Sequence, residues 1–148
     1  MAIERLGAED VSRLRALNAL FARAFEDDAN YAGARPDDDW LRATLARDHV
    51  IVLVSMVGDR LAGGLVAYEL DKLEQARREI YLYDLAVDAP DRRQGRARAL
   101  IDELRRIAKA RGAWTVFVQA DRGDAPAIAL YESLGAREEV LHFDIAPV

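Results

Sequence analysis

Two features of this sequence could do chemistry together. The first is the run Arg92-Arg93-Gln94-Gly95-Arg96-Ala97, which follows an apolar stretch and opens an amphipathic one. A helix start leaves backbone N–H groups without partners, and its aligned peptide dipoles make that end partly positive. Phosphate oxygens satisfy both demands, so the run is suited to cradling a pyrophosphate. Gly95 and Ala97 would let it approach the backbone, and Arg92, Arg93 and Arg96 add charge. The second feature is Asp84, set inside the apolar run Ile80-Tyr81-Leu82-Tyr83-Asp84-Leu85-Ala86-Val87. A carboxylate there is costly unless it is paired or faces a cleft, where it can take up a proton. Glu79, at the start of the run, is the rival base.

Other chemistries are poorly provided for. The chain has no cysteine, which removes disulfides, thiolate metal sites and an acyl-cysteine intermediate. His49 and His142 are the only histidines and do not suggest a metal site, so no metal is expected. The formal net charge of −5 argues against a general nucleic-acid binder and is compatible with a cationic ligand. No signal peptide or membrane-length apolar run is visible, which leads us to expect a soluble cytoplasmic protein that binds neither nucleic acid nor membrane.

The elements that must position these residues can be read from their periodicity. Ile3 to Leu6 reads as a short strand, and Val11, Leu14, Leu17, Phe21 and Phe25 recur at helical spacing. That helix dissolves at Glu26-Asp27-Asp28-Ala29-Asn30, before Tyr31. Asp37 can cap a second helix through Trp40, Leu41 and Leu45 to about Arg47. Val50 to Val57 and Leu61 to Leu70 form a hairpin about Gly58-Asp59, and Glu79 to Val87 is a third long strand. Gly95 to about Arg111 is an amphipathic helix ended by Gly112. Trp114 to Ala120, apolar on both faces, is expected to be a central strand. Asp124 caps a short helix to Leu134, with Pro126 in its first turn, and Glu139 to Ile145 reads as a closing strand. The order β-α-α-β-β-β-α-β-α-β is a mixed α/β layout, expected to form one domain over residues 1–148, with parallel pairing between Glu79 and Ala120.

Two of these segments carry a family resemblance. Arg92 to Ala97 is similar to the GNAT acetyltransferase signature [Gln/Arg]-x-x-Gly-x-[Gly/Ala], and Ala127-Ile128-Ala129-Leu130-Tyr131-Glu132-Ser133-Leu134-Gly135 resembles that superfamily's second element. The resemblance implies an α/β (α+β) GNAT fold, a mixed sheet flanked by helices, whose splayed parallel strands hold acetyl-CoA. It implies that Arg92, Arg93, Gln94, Gly95, Arg96 and Ala97 bind the pyrophosphate. Backbone groups along Leu85, Ala86 and Val87 would meet the pantetheine arm and polarise the thioester. Asp84 and Tyr131 would be catalytic, Asp84 as base toward the amine and Tyr131 as acid toward the departing thiolate. Direct transfer in a ternary complex is the economical mechanism.

A closer resemblance, from Glu79 to Ile145, is to the GNAT-type aminoglycoside 3-N-acetyltransferases, which act on gentamicin-like antibiotics. It rests on Glu79 to Val87, on Val118-Gln119-Ala120-Asp121-Arg122-Gly123-Asp124-Ala125-Pro126-Ala127, and on Arg137 to Ile145. A polycationic substrate calls for carboxylates and aromatic rings. Tyr31, Tyr83, Asp84, Asp121, Asp124 and Asp144 are the candidates, although Asp124 also serves as a helix cap and Asp121 can simply shape a turn. The run Asp37-Asp38-Asp39 is read as a solvated helix start. Two alternatives stay open: transfer to a polyamine, peptide or other small amine, and a non-catalytic acetyl-CoA sensor. Enzymes of this family often form homodimers.

Overall fold

A computed structural model describes residues 1–148. Its centre is set by strand β2 (Val50–Val57), which has apolar residues at both parities and is therefore buried on both faces. Val50, Val52 and Val54 face one layer, made by helices α1 (Val11–Phe25) and α3 (Asp38–Leu45). Ile51 and Leu53 face the other, made by helix α4 (Arg96–Ala110) through Leu100, Ile101, Leu104, Ile107 and Ala108. Burying each large aliphatic side chain contributes about 1.5–3 kcal/mol, so these two layers carry the fold. Between α1 and the sheet the contact is tight: a Cβ on Gly64 would lie 2.6 Å from a Leu17 methyl.

Five strands form one sheet in the order β1 (Ala2–Arg5), β2, β3 (Arg60–Asp71), β4 (Arg78–Val87) and β5 (Ala113–Val118). All neighbours are antiparallel except β4 and β5, which run parallel, as the α4 crossover requires. The helix starts expected from sequence are present. Asp37 accepts from the Trp40 N–H ahead of α3, and Asp124 accepts from the Ala127 N–H ahead of α5 (Ala125–Glu132). A short helix, α2 (Asp28–Tyr31), occupies the stretch where the first helix was expected only to dissolve; Asp27 caps it by accepting from the Asn30 N–H.

Two expectations fail. Glu139 to Ile145 is not a strand: residues 136–148 have no regular structure and make no backbone–backbone hydrogen bond. A strand exists only when a neighbour accepts its ladder, and the chain leaves α5 without returning to the sheet. The strand over Trp114 to Ala120 is β5, and it is an edge strand, paired on one side only. Its apolar residues at both parities suggested a central strand, yet Val116, Phe117 and Val118 are only half-buried.

Candidate active site

The site begins where β4 and β5 part. Their pairing runs from Arg78 opposite Ala113 to Leu82 opposite Val118, and β5 then ends while β4 continues to Val87. On its other side β4 pairs with β3, with a register shift that leaves Tyr83 between the pairs Leu82–Ala67 and Asp84–Val66. A bulge of this kind re-aims the side chains around it. It does so at the residue whose placement in an apolar strand was hardest to explain.

A cleft of about 820 Å³ fills the gap. Leu82, Tyr83, Asp84 and Leu85 of β4 form one wall, and Val118 to Asp121, Asp124 and Tyr131 form another. The end of α1 and the following turn supply Phe25, Glu26, Asp27 and Tyr31. Five of the lining residues are carboxylic acids (Glu26, Asp27, Asp84, Asp121 and Asp124), and none is a lysine or arginine. In a chain with 21 basic residues that separation is selective, and it suits a ligand with several positive charges. A second, smaller crevice beneath Trp40 and Tyr68 reaches Asp84 from the α1–α3 side.

Asp84 is half-buried, and its Oδ1 accepts a hydrogen bond of 2.5 Å from the Tyr31 hydroxyl. Burial lifts the carboxyl above the usual aspartate range, while the Tyr31 hydrogen bond opposes the shift. The same burial and the neighbouring Asp84 charge push the Tyr31 hydroxyl upward, so it stays a donor. Tyr31 is held by Phe21 and Phe25, with ring centroids 5.8 and 5.4 Å away. It therefore orients Asp84 as well as lining the cleft. Tyr83 is exposed in an aromatic row, 5.9 Å from Tyr68 and 5.3 Å from Tyr81, and Tyr81 stacks on Phe117 at 4.6 Å.

Tyr131 comes from α5, which lays Leu130 and Tyr131 against the α4-side core, joined by Leu134 in the turn that follows. Burial, reinforced by the Asp124 charge, pushes its hydroxyl up to about 12, which keeps it protonated and able to donate at neutral pH. Asp84 and Tyr131 thus share one cleft from opposite walls. Glu79 does not line it; its carboxylate lies 3.3 Å from the Lys72 ammonium near the start of β4. Asp144 does not line it either. It lies in the exposed tail, with His142 Nε2 2.9 Å from its Oδ1.

The turn between β4 and α4 is built for backbone display. A turn of 3-10 helix, Ala89–Asp91, is pinned to β3 by two Arg60–Asp91 hydrogen bonds of 2.6 and 2.8 Å. Arg93 and Gly95 then adopt left-handed backbone, with φ of 60° and 78°. Gly95 is the residue before the first turn of α4, and a Cβ there would meet nothing within 4 Å. The glycine is thus needed for its φ, and the space in front of the α4 amides is open. Arg92, Arg93 and Gln94 are exposed, with Arg92 Nε donating to the Val87 carbonyl at 2.9 Å. Arg96 differs from the expectation: its guanidinium turns inward and donates to Ser55 Oγ at 3.0 Å. The donor set fits a pyrophosphate through amides and the two outer arginines, with Arg96 bracing the turn from below.

Sequence reasoning missed Glu26 and Asp27, which looked like the frayed end of a helix. Their signal was two acids beside Tyr31, a residue already singled out. Tyr68 and Gln119 were also missed; Gln119 Oε1 accepts from the Tyr81 hydroxyl at 2.8 Å.

The parted parallel strands, the bulged β4 and the glycine turn before α4 belong together in one known class. The chain is a member of the acetyltransferase (GNAT) family, whose profile matches residues 14–136. Over nearly its whole length it is similar to solved aminoglycoside acetyltransferases. HMB0005, from an uncultured soil metagenomic sample, is 47% identical, with a TM-score of 0.96 covering 99% of this chain and 98% of that one. Meta-AAC0020, also from an uncultured soil metagenomic sample and solved in complex with sisomicin, is 32% identical, with a TM-score of 0.92 covering 99% and 96%. A shorter similarity is to the ribosomal protein bS18 alanine N-acetyltransferase of Escherichia coli (strain K12), 39% identical over 69 residues. That match covers 47% of each protein, so the chain spans about half the length of the curated relatives it matches. No helix is long and apolar enough to cross a membrane.

Proposed function

We propose that the chain transfers an acetyl group from acetyl-CoA to the 3-amino group of the deoxystreptamine ring of an aminoglycoside such as gentamicin. The observation that carries this reading is the cleft itself, lined by five carboxylic acids and no basic side chain. The whole-length similarity to aminoglycoside acetyltransferases, one of them holding sisomicin, supports the same substrate class.

In this reading the amides at the start of α4, with Arg92 and Arg93, hold the pyrophosphate, and Gln94, Gly95 and Ala97 shape the approach. Backbone along Leu85, Ala86 and Val87 holds the pantetheine arm and polarises the thioester carbonyl. The cleft carboxylates, with Tyr31 and Tyr83, bind the ammonium groups and aim one nitrogen at that carbonyl. Asp84 takes the proton that the attacking amine must lose. A C–N bond forms, the C–S bond breaks, and Tyr131 gives its proton to the departing sulfur. Proton exchange with water then restores Asp84 and Tyr131.

A second reading, transfer to the amino terminus of a peptide, is favoured by the local match to the bS18 alanine N-acetyltransferase. Product analysis separates the two. Incubation with acetyl-CoA and gentamicin should yield one product, carrying its acetyl group on the 3-amino nitrogen by NMR. Acetylation at a different nitrogen would overturn the regiochemistry. No aminoglycoside product, with turnover of an alanine-terminated peptide, would replace the reading. Tight acetyl-CoA binding without any acetylated amine would make the protein a sensor.

A further inference from the structure

The start of α4 holds a positive charge that its own chain leaves without a counter-charge. Arg96 is the first residue of the helix; Arg92 and Arg93 precede it and Arg98 follows, while the first turn contains no acidic residue. Cations at that end oppose the helix dipole and are unfavourable there unless an anion is present. Arg92, Arg93 and Arg98 are exposed, so water and salt relieve most of the strain. Arg96 has no such relief. Its guanidinium turns inward to Ser55, a fully buried neutral hydroxyl, and its Nε is buried with no hydrogen-bond partner. Asp91, the buried acid of the same turn, has both oxygens on Arg60, at 2.6 and 2.8 Å. The Arg60 hydrogen bonds hold the Asp91 carboxyl below the usual range, and the Arg96 charge adds to this from beyond ion-pair distance. An enclosed cation with one neutral partner is a burden on the fold, and an apolar side chain of the same length would pack beneath the turn without it.

We propose that Arg96 is a positioning residue for the diphosphate of acetyl-CoA: from beneath the turn its charge favours the anion seated on the α4 amides, without touching it. The inference rests on the cofactor assignment made under the proposed function. It gives the arginines of this segment two different tasks. Arg92 and Arg93 attract the diphosphate from water, where salt screens them. Arg96 acts through the turn, where screening is weak, and it makes the empty turn less stable than the filled one.

Two single variants of the full chain separate charge from packing. Arg96→Lys keeps the charge; Arg96→Met keeps most of the length and removes it. CoA binding is read by calorimetry and unfolding by thermal melts, so neither readout depends on which amine is acetylated. In CoA affinity the Lys variant should stay within about threefold of wild type and the Met variant should be weaker by about tenfold, the size of one partly buried charge at a helix terminus. In melting temperature without CoA the order should invert: the Met variant at or above wild type, the Lys variant at or below it. The Met loss should persist at high salt, whereas the loss in an Arg92→Gln, Arg93→Gln double variant should shrink. Ser55→Ala removes the hydrogen bond and keeps the charge, so affinity within about threefold of wild type is expected, and a tenfold loss would assign the role to the bond instead. Equal CoA affinity in wild type and Arg96→Met overturns the proposal. So does a Met variant that is both weaker and less stable with no rescue by Lys, which would make Arg96 a packing residue. A wild-type chain that gives no heat with CoA removes the cofactor assignment itself, a result distinct from equal heats in wild type and variant.

Discussion

The turn before α4 and the acidic cleft are built by different means. The turn displays backbone: left-handed Gly95, the first amides of the helix and a brace of Arg60–Asp91 and Arg96–Ser55 hydrogen bonds. The cleft displays side chains drawn from three separated segments, with Tyr31 reaching Asp84 across 53 positions of sequence. A backbone site fits one shape of ligand and tolerates change in most side chains around it. A side-chain site can be retuned residue by residue. In the proposed function, the turn before α4 is therefore the part common to the fold, and the carboxylate end is where specificity for the amine resides.

The largest effect is expected at Asp84. Asp84→Asn should lower kcat by about 10²–10⁴-fold, the usual range for loss of a general base, with little change in acetyl-CoA affinity, as read by thiol release and by calorimetry. It should also change stability, with a defined sign. Because burial raises this carboxyl above its ordinary value, the folded state holds its proton more tightly than the unfolded state. Stability is lost as pH rises through that window, so Asp84→Asn should melt higher than wild type at neutral pH. A variant that melts lower there would mean that the Tyr31 bond outweighs desolvation.

Tyr131→Phe comes next. It should lower kcat by roughly tenfold to a hundredfold, at or below the low end for acid catalysis because a thiolate leaves readily. An unchanged kcat would remove Tyr131 from the chemistry. Gly95→Val tests the backbone end. A side chain held in left-handed backbone costs about 1–2 kcal/mol. Roughly tenfold in KM for acetyl-CoA is expected, with KM for the amine unchanged.

The Tyr31→Phe change is smaller and more particular. The hydroxyl now lowers the Asp84 carboxyl by donating to it. Its removal should shift the acid limb of kcat/KM to higher pH, with several-fold lower activity at neutral pH and less above it. A uniform loss at all pH values would make Tyr31 a packing residue only. The smallest effects belong to Glu26→Gln and Asp27→Asn, at the rim of the cleft. Each should raise KM for a polycationic amine by about twofold to fivefold, with less effect at high salt, as suits exposed ion pairs.

What the sequence made legible follows the same division. The turn from Arg92 to Ala97 could be read because a backbone site is contiguous: a strand end, a glycine and a helix start lie side by side. Asp84 stood out because a charge in an apolar strand needs a reason. The Tyr31–Asp84 bond and the acidic rim at Glu26 and Asp27 were hidden, since they depend on where α2 settles after α1. The direction of the Arg96 guanidinium was hidden too, because it is set by Ser55 on β2, remote in sequence. The order of strands was legible up to β5. Beyond it, the apolar pattern of Glu139 to Ile145 indicated a strand, but pattern alone does not supply the neighbour that a ladder needs.

In the proposed function the carboxylate end selects a polycationic amine. This selection is tested most directly by the ratio of kcat/KM for sisomicin to that for an alanine-terminated peptide, measured with acetyl-CoA by thiol release at low and moderate salt. A ratio of about a hundred or more, a preference of about 2.7 kcal/mol, is expected, narrowing as salt rises. A ratio near or below one, insensitive to salt, would contradict it.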